Sequence, residues 1–266
     1  FAIGIIVANV PEGLLPTVTL ALSMASRKMA KKQALIKNLE SVETLSSTTV
    51  ICTDKTGTIT QNKMSVNSLF INLTDIFKQD FSKNLTGFDK LFKTAILCNN
   101  ARLNENKNDY IGDPTEGALL VFANNYTNMN KIITDFPRID ENPFDSQTKC
   151  MVTVHKSEEQ TSSYIKGAPE IVINKCNRIL IDEQVRELDD NSKTIILSHY
   201  KTMASRGERV LGLAYNNALQ NKDDEDFIFI GLIGIIDPPR PEIFQAIAKC
   251  KEASIKVIMI TGDYSL

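Results

Sequence analysis

T-T-V-I-C-T-D-K-T-G-T, residues 48–58, joins a run of β-branched and apolar side chains to an aspartate and a glycine-containing turn. The run over residues 48–53 predicts a short strand buried on both faces. Asp54 then falls just past the carboxyl end of that strand, where open α/β sheets take their ligands. Gly57 lets the backbone turn closely around a phosphate, with no Cβ in the way.

The residue type suits phosphoryl chemistry. An ionised carboxylate attacks phosphorus without first losing a proton, and the resulting acyl phosphate splits one hard hydrolysis into two steps. Lys55 and a magnesium ion would offset the charge. Neither G-x-x-x-x-G-K-[ST] nor G-x-G-x-x-G occurs in the chain, so Walker-type and Rossmann dinucleotide chemistry are not indicated.

Two further strands are predicted at residues 227–236 (F-I-F-I-G-L-I-G-I-I) and 255–260 (I-K-V-I-M-I), which end at Asp237 and at Thr261, Gly262 and Asp263. Helical spacing fills residues 241–254 between them. Strand, helix and strand make a parallel α/β unit, and acids at its strand ends point to magnesium. Between Met64 and Asp226, alternating segments such as residues 151–155 and 210–215 predict an antiparallel α+β insert. The parallel domain is therefore expected to be discontinuous in sequence.

Residues 1–26 carry a single ionisable side chain, Glu12, among many Ile, Val, Leu and Ala, a stretch long enough to span a bilayer. Arg27, Lys28, Lys31 and Lys32 follow, the pattern of a cytoplasmic flank. Pro11 and Pro16 bracket Glu12 and predict an interrupted helix, whose freed carbonyls together with the carboxylate can replace a cation's hydration shell. A buried helix of a soluble protein, with one acid on its wet face, is the alternative for this segment alone.

Composition narrows the classes further. The chain has 266 residues, 42% of them apolar, enough for roughly two domains with real cores. Its 30 basic and 32 acidic residues nearly cancel, so no global field points to nucleic acid. Five scattered cysteines without a C-x-x-C pair, and two histidines, argue against a disulfide framework or zinc site and fit small buried residues in a reducing compartment. The start at Phe1, inside an apolar run, leads to the expectation that the chain is part of something longer.

P-E-G-L-L (11–15), K-N-L-E-S-V-E-T-L (37–45), D-K-T-G-T-I-T-Q-N-K-M (54–64), K-G-A-P-E (166–170), I-D-P-P-R (236–240) and M-I-T-G-D (259–263) resemble the motifs of P-type cation ATPases, in that family's order and along the whole chain. The resemblance implies a haloacid-dehalogenase-like α/β phosphorylation domain, interrupted by an inserted α+β nucleotide-binding domain and preceded by a partial transmembrane helix. The expected divisions are residues 1–26 (transmembrane helix with cation site), 27–63 (stalk and first part of the phosphorylation domain), 64–231 (nucleotide-binding domain) and 232–266 (second part of the phosphorylation domain).

It also implies roles for single residues. Asp54 would be the phosphorylated aspartate, with Lys55 and Thr56 holding the phosphate and Thr261, Gly262 and Asp263 completing the pocket. Asp54 and Thr56 would bind magnesium. Glu116, Phe144, Lys149, Lys166, Gly167 and Arg209 match the family's nucleotide pocket, with Phe144 stacking on adenine and the basic residues near the phosphates; Asp237 is counted with the cofactor-binding residues. On the residues alone, a solvated lysine in a turn is the ordinary explanation for Lys166 and Gly167.

V-A-N-V-P-E-G-L-L and K-N-L-E are most similar to the sodium/potassium branch, in which Val7, Ala8 and Val10 would supply carbonyls and Glu12 a carboxylate to the cations. Pro16 is more like calcium pumps, and G-D-P-T-E-G-A at residues 112–118 occurs more widely, so Na+, K+, Ca2+ and H+ all stay open. The resemblance implies ATP and Mg2+ as cofactors, and membrane lipid and an accessory β-type subunit as partners. It implies an integral membrane protein of the plasma membrane with cytoplasmic catalytic domains. The family's G-D-G-x-N-D and T-G-E-S segments do not occur in the chain, so it is expected to bind ATP weakly while turning over little or none of it. A soluble phosphatase of the haloacid-dehalogenase superfamily would share the nucleophile, but such enzymes resemble D-x-D, and Thr56 in the second position cannot act as acid and base. A regulatory nucleotide-binding module without catalysis fits less well with Asp54, Lys55 and Asp263 all in place.

Overall fold

The computed structural model describes residues 13–81, 88–104, 109–158, 160–217 and 226–260. The elements run α1 (Leu14–Ala30), α2 (Glu40–Ser46), β1 (Val50–Asp54), β2 (Ser65–Ile71), β3 (Thr74–Phe77), α3 (Asp89–Leu97), β4 (Arg102–Leu103), β5 (Tyr110–Ile111), α4 (Pro114–Asn124), α5 (Met129–Asp135), β6 (Arg138–Asn142), β7 (Cys150–Lys156), β8 (Thr161–Gly167), α6 (Pro169–Asn174), β9 (Cys176–Ile181), β10 (Gln184–Glu187), α7 (Asp190–Ser205), β11 (Arg209–Asn216), β12 (Phe227–Ile236), α8 (Ile243–Glu252) and β13 (Lys256–Ile260). They fall into two units, one made of described residues of Phe1–Ile59 and Arg240–Gly262, the other of those of Thr60–Pro239.

In the first unit, Pro16 is the third residue of α1. The first turn of a helix has no internal acceptors for its N–H groups, so a proline there costs no bond. Pro16 therefore lies without cost in the first turn of a helix that begins at Leu14, and the expected interruption around Pro11 and Glu12 falls outside the described residues. Glu12, Val7, Ala8 and Val10 lie outside the described residues. Arg27 and Lys28 occupy the last turn of α1, where positive charge complements the helix dipole. No helix among the described residues is long and apolar enough to cross a membrane.

β1 and β13 pair in parallel, from Val50 opposite Lys256 to Asp54 opposite Ile260. α8 precedes β13 and is followed by Ala253 and then Ser254 at φ 59, while the Ile255 N–H donates to the Cys250 carbonyl at 2.8 Å and the Ser254 N–H to that of Lys251 at 3.0 Å. This left-handed cap turns the chain from helix into strand. The expected burial of β1 on both faces is not observed: Val50 is 44% and Ile51 37% exposed. A two-stranded ribbon has too few covering layers to bury its faces.

The second unit is built on a nine-stranded mixed sheet of order β10-β9-β12-β11-β8-β7-β6, with β2 beside β12 and β3 beside β2. β12 runs through its middle, antiparallel to β11 along one edge, while β2 (antiparallel) and β9 (parallel) share the other. Its side chains alternate between two cores. Ile228, Ile230, Ile233 and Ile235 meet Leu91 and Phe92 of α3 and Leu119 of α4 on one face; Phe227, Phe229 and Leu232 meet Val172 and Ile173 of α6 and Ile196 and Met203 of α7 on the other. The change of parity between Ile230 and Leu232 coincides with the register shift against β11, a β-bulge.

That placement corrects the sequence reading, which paired residues 227–236 with residues 255–260. The apolar run of β12 reports that both its faces are covered, and it is equally compatible with a central strand of a mixed sheet. All five cysteines are free, and Cys98, Cys150 and Cys176 are buried as expected, but Cys52 on β1 is exposed. Among the described residues no group of three or more His, Cys, Asp or Glu gathers as a metal cluster.

Candidate functional site

Asp54 is the last residue of β1 and is exposed. The next residues form a tight turn in which Thr56 has φ −76, ψ 124 and Gly57 has φ 74, ψ −10. These are the central angles of a type II turn, whose second central position demands positive φ and hence glycine. The Arg240 guanidinium donates from Nη2 to the Gly57 carbonyl at 2.9 Å, and its backbone N–H donates to the Ile59 carbonyl at 2.9 Å. Arg240 thereby fixes the turn that presents Lys55 and Thr56 beside the carboxylate. Thr261, Gly262 and Asp263 lie outside the described residues.

Asp237 belongs to the second unit, so the expected row of strand-end acids in one parallel sheet does not form. Its carboxylate accepts from Thr60 Oγ1 at 2.6 Å and from the Lys63 N–H at 3.1 Å. Both oxygens thus tie the chain segment entering this unit to the segment leaving it.

Three of the six residues matched to a nucleotide pocket, Glu116, Lys166 and Arg209, meet at the first turn of α4, and Gly167 and Lys149 touch each other on the adjoining strand ends. Asp113 caps α4, accepting on Oδ1 from the Thr115 N–H at 2.8 Å and the Glu116 N–H at 3.1 Å, with Pro114 at the first helical position. Glu116, in that first turn, accepts on Oε1 from Lys166 Nζ at 2.5 Å and on Oε2 from the N–H groups of Asn100 at 2.9 Å and Ala101 at 3.1 Å. Arg209 opens β11 and donates from Nη1 to Thr115 Oγ1 at 2.7 Å.

Lys166 is no solvated turn lysine. It lies within β8, is 5% exposed and donates also to the Cys98 carbonyl at 2.5 Å, so two of its three donors are engaged. Its neighbour Gly167 packs directly on the Lys149 carbonyl, which a Cβ would approach to 2.4 Å. Lys149 itself has φ 49. The turn before it is closed by Asp145, which accepts from the Thr148 and Gln147 N–H groups; those bonds hold its carboxyl below the usual carboxylate range. Phe144, on the same connection from β6 to β7, is 60% exposed, which leaves a flat aromatic face open to a ring.

Sequence reasoning missed the groups that hold these side chains. Arg240 stood in the quoted I-D-P-P-R motif without a role. Asp113 and Pro114 carry a readable helix-start signal. The loop of residues 98–101 has none, yet it supplies the Cys98 carbonyl to Lys166 and two amides to Glu116. Burial raises the Cys98 thiol's pKa, so this sulfur stays protonated and donates to the Met151 carbonyl at 3.4 Å.

Comparison with known proteins places the chain. The sequence profile of the family described as "P-type ATPase, cytoplasmic domain N" matches residues 87–242. Sodium/potassium-transporting ATPase subunit alpha-1 of Oreochromis mossambicus is 40% identical over 301 aligned residues, which cover 100% of this chain and 29% of that protein. Subunit alpha-4 of Homo sapiens is 39% identical over 299 residues, covering 100% and 29%. Calcium-transporting ATPase 1 of Lactococcus lactis is 39% identical over 278 residues, covering 99% and 31%. The chain therefore spans about three-tenths of the length of these curated relatives.

Proposed function

This chain belongs to the P-type ATPase family, and from that membership we propose that it is the ATP-using part of a cation pump phosphorylated on Asp54. The observation that carries the proposal is the exposed carboxylate at the carboxyl end of a parallel strand, followed at once by a type II turn. Ligands of parallel sheets sit at that end.

In this reading a carboxylate oxygen of Asp54 forms a bond to the γ-phosphorus of ATP as the bond to the β,γ-bridging oxygen breaks, and ADP leaves with those electrons. The turn at Thr56 and Gly57, held by Arg240, keeps the backbone close to the transferred group, and Lys55 offsets its charge. Magnesium keeps several waters and needs only one or two protein oxygens besides those of the phosphates, so the exposed Asp54 with Thr56 fits it without a larger cluster. When bound, the ion neutralises phosphate charge. Phe144 offers its ring to adenine, and Glu116, Lys149, Lys166, Gly167 and Arg209 shape the rest of the nucleotide site. The second unit, residues 60–239, acts as the nucleotide-binding domain, because β12 runs unbroken through its core past the division expected at residue 231, with residues 27–59 and the segment from residue 240 onward in the phosphorylation domain.

The protein is proposed to sit in the plasma membrane, with residues 1–26 leading into the bilayer, an accessory β-type subunit as partner, and Na+ and K+ as transported ions. Calcium is the second reading, favoured by Pro16 and by the similar identity to the Lactococcus lactis calcium-transporting ATPase. The test is acid-quenched incubation of the full-length pump with γ-labelled ATP. Acid-stable, hydroxylamine-labile label that disappears in Asp54→Asn is expected; label that persists in Asp54→Asn overturns the assignment.

A further inference from the structure

The loop of residues 98–101, which leaves α3, has no regular structure of its own, yet it supplies three of the polar groups that fix Glu116 and Lys166. Something must hold it. Arg138, the first residue of β6, does so: Nη2 donates to the carbonyls of Leu97 at 2.9 Å and Asn99 at 2.6 Å, and Nη1 to Asn100 Oδ1 at 2.6 Å. Glu141 pairs with the same guanidinium at 2.5 Å and keeps its plane in place.

We propose that Arg138 is a positioning residue of the nucleotide site, acting through this loop on the Glu116–Lys166 pair. The inference rests on the nucleotide-site reading given above. A guanidinium is the side chain for the task, because its planar fork of donors reaches several acceptors at once, whereas lysine offers one charged point. Two carbonyls and an amide oxygen held on one rigid group fix the loop's backbone orientation. That orientation aims the Cys98 carbonyl at Lys166 and the Asn100 and Ala101 N–H groups at Glu116 Oε2. Without it, Glu116 loses amide donors and the Lys166 ammonium a carbonyl, and both charges turn to new partners.

Calorimetric titration of the whole chain with MgATP tests this. Arg138→Ala is expected to weaken ATP binding about tenfold, the loss of one or two charge-assisted hydrogen bonds' worth of ordering. Millimolar guanidinium added to Arg138→Ala should recover part of the affinity, which a general loss of stability would not allow. In a Glu116→Gln background the same Arg138→Ala change should cost less than about twofold, because the two residues act on one arrangement.

Wild-type affinity in Arg138→Ala overturns the proposal, as does a tenfold loss that persists undiminished in the Glu116→Gln background. If Arg138→Ala does not fold, Arg138→Lys decides: weaker ATP binding at an unchanged melting temperature supports the role, and equal binding refutes it. Absence of saturable ATP binding by the unsubstituted chain removes the nucleotide-site reading itself, a result distinct from a wild-type-like Arg138→Ala.

Discussion

β1 and β12 are both apolar runs that lead into an aspartate, but they live in opposite surroundings. β12 is covered on both faces, by α3 and α4 in one core and by α6 and α7 in the other, whereas β1 among the described residues pairs with β13 alone and leaves Val50 and Ile51 more than a third exposed. Their aspartates differ accordingly. Asp237 has both oxygens engaged by protein donors, and Asp54 is exposed beside a type II turn that a guanidinium fixes. An apolar run states how much burial a strand can use; only the neighbours decide how much it receives, and with it whether the acid at its end is held by protein donors or left exposed.

The contrast can be broken most forcefully at the buried pair of the second unit. Glu116→Leu leaves the Lys166 ammonium buried without its carboxylate, which typically costs about 3–5 kcal/mol. Urea denaturation of the chain measures it, and a loss below about 1 kcal/mol would show that Lys166 finds water.

The strands themselves give the next largest effect. Leu232→Ala, at a fully buried position of β12, should cost about 2–5 kcal/mol, while Ile51→Ala on β1 should cost less than about 1 kcal/mol. Amide hydrogen exchange in each strand reads the two separately. Equal losses would mean that β1 is as well covered as β12 and would erase the distinction drawn above.

The smallest effect tests how dry the second unit is. His155 is 2% exposed, with Nδ1 donating to the Phe136 carbonyl at 2.8 Å and no partner for Nε2. Burial lowers its pKa below the ordinary 6.5, against a smaller opposing pull from the Phe136 carbonyl. The unfolded chain therefore binds the proton more readily, and this contribution to stability is complete above pH 6.5 and is lost as the pH falls below it. Melting temperature measured down from neutral pH should fall less steeply for His155→Gln than for the unsubstituted chain. Parallel curves would count against the desolvated imidazole.

Much of the fold was legible because it rests on short-range pattern. Residues 151–155, 210–215 and 241–254 were read as two strands and a helix, and appear as β7, β11 and α8 with ends one or two residues away. At Pro16 the sequence showed a residue that interrupts helical hydrogen bonding, and only the structure shows that it occupies the first turn of α1, where no bond is lost. The pairing of residues 227–236 was misread because an apolar run carries no label for its partner. At the site, charged and glycine residues in dense motifs were visible, but Arg138 and the loop of residues 98–101 were not. The loop contributes through backbone carbonyls and amides, which every residue possesses, and the Arg138 guanidinium finds its acceptors only once distant segments are brought together.

From the sequence alone came the family, the strand-turn at Asp54, the need for glycine at Gly57, and an insert of mixed strands and helices. The tertiary structure alone decided that β12 belongs with β2, β9 and β11, that Asp237 is held by Thr60 and Lys63, and that Lys166 is buried against Glu116 and Cys98. The physical reason is one of range. Backbone angles and side-chain chemistry are local properties written residue by residue, while pairing, burial and the satisfaction of a buried charge depend on groups brought together from distant parts of the chain.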